Sequence, residues 1–435
     1  MSRRLLLTAL LLAGVLGVPA AAQDLLIRNA KLVPGGTATA RTADILIRNG
    51  KIAAIGNGFS GANVIDAQGK FVTPALFAGI TDIGVEEVSG ERSTVDASLA
   101  MGQRNVNPII RPEFDVTLAY NPDSVLIPVN RAEGMGWSLL SAGGGGVSSI
   151  VLGQGGVVRL HGDEGAIGPR ALFVELGSAG AGESGNSRAA QWMVLDQLLD
   201  EVRGRIAPTS QFALLTPAGR DTLRKYLNGQ GRVFASVQRA SDIRQLLRWS
   251  AANKVKVAIV GGDEAWKVAP QLAAAKVPVF VNALNALPSN FDSLGTRLDN
   301  AALLAKAGVP VSFYFDDMQS HMAYKLRQLA GNAVANGMRW EDAVAGLTTV
   351  PADAMGVASR VGSVAVGRDA DLVVWTGDPL DVASVAERVI MSGKDLPLRS
   401  RQSELRDRYT APLPDPAAGQ LPRAYDYSHF TLLPC

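Results

Sequence analysis

Apolar residues come in short runs at both ends of the chain and alternate with helix-spaced patterns in the middle. Between Asp24 and Asp66, Leu25-Leu26-Ile27, Ile45-Leu46-Ile47 and Ile52-Ala53-Ala54-Ile55 read as short strands. Asn49-Gly50 separates the second from the third, and both residue types accept positive φ, which predicts a tight hairpin. From Gly362 to about Val389 the chain returns to the same style. The two ends are therefore expected to meet in one small β-sandwich.

The middle reads differently. Val125-Leu126-Ile127, Ser138-Leu139-Leu140, Val157 to Leu160 and Leu172-Phe173-Val174 predict strands. Val233-Phe234-Ala235, Val257 to Val260, Val277 to Val281 and Val309 to Phe315 continue the series. Pro278 stands near the start of its run, where a strand accepts proline. Helical spacing covers Asp242 to Ala252 and Glu264 to Ala275. Strands alternating with helices over this length predict parallel pairing with crossover helices. A closed TIM-like (β/α)8 barrel and an open doubly wound sheet both satisfy the pattern. In a barrel, reactive groups stand on loops at the C-terminal strand ends.

The first residues change the picture of where the protein works. Arg3 and Arg4 precede an apolar run from Leu5 to Val18, too short for a comfortable membrane span of ~20 residues. Pro19 and Ala20-Ala21-Ala22 follow, before Gln23. This is the layout of a cleavable secretory signal over residues 1–22. The mature protein is expected to be periplasmic or secreted, with no membrane attachment after cleavage. Removing the signal takes away two arginines and no acid, so 42 basic residues become 40, against 40 acidic. That neutrality argues against nucleic acid or an anionic membrane as partner. The lone cysteine, Cys435, forbids an intrachain disulfide. Stability must then come from a large core, which a chain of 435 residues can bury.

Two motifs carry a family resemblance. Gly69-Lys70-Phe71-Val72-Thr73-Pro74-Ala75-Leu76-Phe77-Ala78-Gly79-Ile80-Thr81-Asp82-Ile83-Gly84 resembles the amidohydrolase frame G-K-x-V-x-P-G-L-I-D-x-H-T-H-x-G. Far downstream, Gly362-Ser363-Val364-Ala365-Val366-Gly367-Arg368-Asp369-Ala370-Asp371-Leu372-Val373 resembles the closing motif G-S-I-x-x-G-K-x-A-D-L-V. Between them, Asn121-Pro122-Asp123-Ser124, Arg131-Ala132-Glu133-Gly134-Met135, Gly153-Gln154-Gly155, Arg239 to Ile243 and Val350-Pro351-Ala352 resemble loops of the imidazolonepropionase-like branch. The resemblance implies a (β/α)8 barrel over 75–358 and a β-sandwich from 23–74 and 359–400, with 401–435 as a C-terminal arm. It also implies a hydrolase of non-peptide C–N bonds, or of a peptide bond in dipeptidase-like relatives.

The family's mechanism requires side chains that hold a divalent metal and lower the pKa of its water. Laid on the family frame, the two first histidines fall on Ile80 and Asp82. The lysine position falls near Phe173, with Glu175 close by, and the two later histidines fall on Ser236 and Gly261. Only the aspartate survives, as Asp316 at the end of Gly308 to Asp316. The expectation is therefore a metal centre lost, no cofactor, and a pocket for a small molecule at the former ligand positions.

Remaining candidates for chemistry are few. Asp316 and His321 are the catalytic candidates, each with a blander reading as a helix cap and a surface residue. His161 and His429 match no ligand position. Asp82, Glu175, Asp263, Asp316 and Asp317 would make an oxygen-rich replacement site if they converged, although carboxylates are solvated by default. Gly143 to Gly146 lacks the Lys-Ser or Lys-Thr that a phosphate loop needs. Trp137, Trp192 and Trp266 line a pocket or fill the core, and core is the default. Two functions follow: a non-catalytic binding subunit, working as a homo-oligomer or beside an active relative, or an exported hydrolase with carboxylate-based chemistry.

Overall fold

The computed structural model describes residues 24–61, 63–99, 110–143, 149–161, 165–315 and 320–410. The signal segment, Asp316, Asp317, Gly144 to Gly146, His429 and Cys435 lie outside the described residues.

Leu25–Leu32 (β1), Arg41–Arg48 (β2), Lys51–Gly56 (β3), Asn63–Asp66 (β4) and Phe71–Pro74 (β5) come first. The β2–β3 turn has Asn49 at φ 50° and Gly50 at φ 74°, the paired positive values of the expected hairpin turn. A Cβ on Gly50 would lie 2.8 Å from the Ser392 carbonyl, so packing as well as φ demands glycine there.

Eight strands then form a second sheet in chain order: Leu76–Thr81 (β6), Met135–Leu140 (β7), Val151–Arg159 (β8), Ile167–Glu175 (β9), Arg232–Val237 (β10), Val257–Gly261 (β11), Val279–Val281 (β12) and Val311–Phe313 (β13). It is a nearly closed barrel. The open edges are tied through the end of the Trp340–Gly346 helix. Ser312 Oγ donates to the Gly346 carbonyl at 2.7 Å, and Phe77 N donates to the Leu347 carbonyl at 2.9 Å.

One strand departs from the expected all-parallel order. β8 runs antiparallel to both β7 and β9. Its flanking connections, 141–150 and 160–166, are too short for the crossover of a dozen or more residues that a parallel neighbour requires. A second departure is Val125-Leu126-Ile127, which lies at the start of the Leu126–Ala132 helix and not in a strand. Ser124 Oγ accepts from Leu126 N at 3.2 Å, and this local bond starts a turn that a three-residue apolar run cannot announce. The helix expected from Glu264 is split into a 3-10 turn, Ala265–Val268, and Ala269–Ala275, because Pro270 has no amide hydrogen and suits a first turn.

Strand alternation sorts the barrel's side chains. Leu172, Val174, Val233 and Ala235 face the outer helices, where they meet Leu195 and Leu246. Phe173 and Phe234 therefore face inward, 5.7 Å apart, and Phe234 stacks at 5.4 Å on Phe280, which meets Phe77 at 6.3 Å. These rings fill the barrel's interior, and a pore is excluded.

The chain then returns to the first sheet with Leu372–Trp375 (β14), Ala386–Met391 (β15) and Lys394–Leu396 (β16). The order is β16-β15-β14-β5-β1-β2-β3, with β4 also on β1. The seam between the chain ends is β5 against β14, antiparallel, with Thr73 opposite Val373. Ile27, Leu32, Ile45, Val72, Leu372 and Ile390 from both ends share one core. The long sequence separation of the two motifs is thus the price of one shared sheet. The sheet is fastened to the barrel by Arg159 of β8, whose guanidinium donates to both oxygens of Asp371 at 2.8–3.0 Å. Asp369 joins this network through Arg159 at 3.5 Å and is paired as well with Lys51 and Arg360, each at 2.7 Å.

Candidate functional site

The barrel strands β6 and β9–β13 point their C-terminal ends to one rim, and most of the positions singled out from the sequence lie there. β6 ends on half-buried Ile80 and buried Thr81, with Asp82 next. β10 ends on Ser236-Val237, and β11 on Gly261. Glu175 ends β9 and is in register with Ser236. Phe173 is the exception: it sits two residues deeper, buried in the aromatic plug. By alternation Glu175 and Ser236 are the next inward side chains above the plug, so the strand-end position belongs to Glu175. The signal was present in the sequence as Leu172-Phe173-Val174-Glu175, where every second residue shares a face.

His161 is placed away from this rim. It follows β8, and β8 is reversed, so that strand's C-terminal end lies at the barrel's opposite end. Leu160 N accordingly donates to the carbonyl of Gly136 near the start of β7. His321 is half-buried in the 3-10 segment Ser320–Lys325. Buried Asn130 holds that segment: it donates to the Ser320 carbonyl at 2.8 Å and accepts from Tyr324 N at 2.9 Å.

A contact invisible to the sequence reading forms around Asp82. The Ser320 hydroxyl donates to the Asp82 carboxylate, and Asp82 N donates back to Ser320 Oγ at 3.1 Å. Glu86 hydrogen-bonds to Asp82 from one turn further on. Burial, then the charge of Asp82 and the shared hydrogen bond, raise the Glu86 carboxyl above its ordinary value. Burial and the charge of Glu183 raise Glu175 as well. The rim therefore carries two carboxyls that hold their protons more tightly than free ones. Asp263 is engaged elsewhere, accepting from Asn285 Nδ2 at 3.1 Å.

The residues aligned with the family's ligand positions at Ile80, Phe173 and Gly261 do not fit a zinc ion. Ile80 and Gly261 offer no donor atom, and Phe173 is committed to the plug. The backbone disagrees too. Gly261 has φ 94°, and a Cβ there would lie 2.2 Å from Gln238 Nε2, so a histidine at this position is both strained and obstructed. Among the described residues no three His, Cys, Asp or Glu side chains are grouped so as to hold a metal.

Comparison with known proteins agrees with the architecture. The Amidohydrolase family model matches residues 252–397. An amidohydrolase from Thermotoga maritima MSB8 is similar at 25% identity with a TM-score of 0.74, over 86% of this chain and 100% of that one. A molinate hydrolase is similar in fold at 15% identity, TM-score 0.53, over 93% of this chain and 99% of that one. A zinc-bound adenosine deaminase from Xanthomonas campestris shares the fold at 16% identity, TM-score 0.51, over 89% and 99%. In sequence, the amidohydrolase tasK of Hapsidospora irregularis is 42% identical over 57 residues, which is 13% of this chain and only 6% of that protein. The two flanking motifs, the shared end sheet, the barrel and these likenesses converge: the chain has the fold of amidohydrolase structures and matches the Amidohydrolase family over 252–397.

Proposed function

We propose that this protein is an exported pseudoenzyme of the imidazolonepropionase-like branch, a ligand-binding or partner subunit built on a hydrolase scaffold. One observation carries the reading: the strand ends that would present imidazoles present Ile80, Ser236 and Gly261. The ligand is a small molecule at the barrel mouth, and the subunit works as a homo-oligomer or beside an active relative.

A second reading is favoured by the contact of Asp82, Glu86 and Ser320. Two carboxyls sharing a proton are a general acid–base pair, so this would be a hydrolase with metal-independent chemistry, with Asp316 or His321 assisting. A screen of amides, cyclic amides and dipeptides separates the two. The pseudoenzyme reading expects no turnover above background in wild type, Asp316→Ala or Glu86→Gln. Turnover in wild type that vanishes in either variant, at unchanged melting temperature, overturns it in favour of the second.

A further inference from the structure

Beside the mouth, between the loops after β12 and β13 and the segment 379–385, runs a groove that the described chain leaves uncovered. Leu329 and Leu380 form its floor, and Leu284, Phe315 and Val382 its walls. Leu284 is 48% exposed and Val382 69%, high values for large apolar side chains. Both walls are fixed to the Leu326–Ala335 helix. Asn332 donates to the Ala283 carbonyl on one side. On the other, buried Arg327 donates to the carbonyls of Pro379, Asp381 and Ser384. The groove is therefore preformed, and an occupant need not organise it.

The occupant is indicated by where the described chain ends. The Arg401–Thr410 helix buries no residue of its own. It lies against the Leu126–Ala132 helix, which lies against Ser320–Lys325, and Lys325 lines the groove. Residues 411–435 follow, and fully extended they span up to roughly 80 Å. Their last part is rich in large apolar groups: Tyr425, Tyr427, Phe430, Leu432 and Leu433. Arg423 and Asp426 are opposite in sign to Asp381 and Lys325 on the groove.

We infer that the C-terminal segment of this chain docks in cis in this groove, covering Leu284, Phe315 and Val382 along the rim of the barrel mouth. Cys435, the only cysteine, supplies the test. In the full-length chain, Gln328→Cys places a thiol on the groove, and Arg248→Cys places one on the exposed face of the Ala240–Asn253 helix, which packs on another part of the barrel. Under mild oxidation Gln328→Cys should form an intramolecular disulfide with Cys435 about tenfold faster than Arg248→Cys, because docking raises the local thiol concentration. Adding Val382→Asp should remove that advantage while leaving the melting temperature in place. Equal rates in the two cysteine variants overturn the inference. So do disulfide-linked dimers whose yield rises with protein concentration, which would place a second copy in the groove.

Discussion

At the scale of single residues, Gly261 is where the strand ends depart furthest from the family frame. Its φ of 94° means that any side chain there costs backbone strain, and the Gln238 amide must also move aside. Gly261→Ala should destabilise the fold by about 1–3 kcal/mol in denaturant titration. A variant carrying histidine at 80, 82, 236 and 261 should fall short of tight zinc binding unless Gln238 is also reduced in size. Glu86 gives a pH signature. A free glutamate titrates near 4.5, and in the folded chain burial and Asp82 raise it. Above 4.5 the unfolded chain releases a proton that the folded chain still holds, so this group's contribution falls as pH rises through that window. Glu86→Gln should match wild-type stability at lower pH and exceed it above the window. A variant whose advantage is instead largest in acid would refute the shared-proton contact. Glu86 and Ser320 were not legible in the sequence, because nothing local marks a serine that meets an aspartate across the barrel's open seam.

At the scale of elements, what was legible followed how local the cause was. The Asn49-Gly50 hairpin, the proline near β12 and the motif on β5–β6 are short-range, and they appear where the sequence places them. The reversal of β8 depends on the lengths of two connections and on pairing with both neighbours, which an apolar run does not encode. That reversal matters for stability, because it delivers Arg159 to Asp371 of the end sheet. Their side chains are 2% and 9% exposed. Leaving one partner buried alone is costly, so Asp371→Ala should lose about 3–5 kcal/mol. Arg159→Met with Asp371→Leu should recover much of it, and chemical denaturation of wild type, Arg159→Met, Asp371→Leu and the double variant closes the cycle. Burial pushes Asp369 up, but hydrogen bonds from Lys51 and Arg360 and the nearby arginine charges outweigh it and hold its carboxyl below the usual range. Its contribution is therefore present above pH 3.8 and lost on acidification below it. The aromatic plug is the other element-scale support: Phe234→Ala should cost about 3–5 kcal/mol and loosen the floor beneath Glu175 and Ser236.

At the scale of the whole molecule, the end sheet, the barrel and the amidohydrolase likeness were readable because the two flanking motifs meet on one seam. The site was readable mainly as departures from a frame, and its positive chemistry only from packing. Export is a separate expectation, resting on Arg3, Arg4, the apolar run and Ala20-Ala21-Ala22. Amino-terminal sequencing should find the mature chain starting near Gln23 in the periplasmic or secreted fraction, and Met1 retained on a membrane-bound form would contradict it. The most direct test of the central claim, an amidohydrolase scaffold without the family's metal chemistry, is elemental analysis of the purified mature protein after dialysis against trace metal. The account predicts zinc and other divalent transition metals far below one per chain. About one tightly held ion per chain, retained through dialysis, would contradict it.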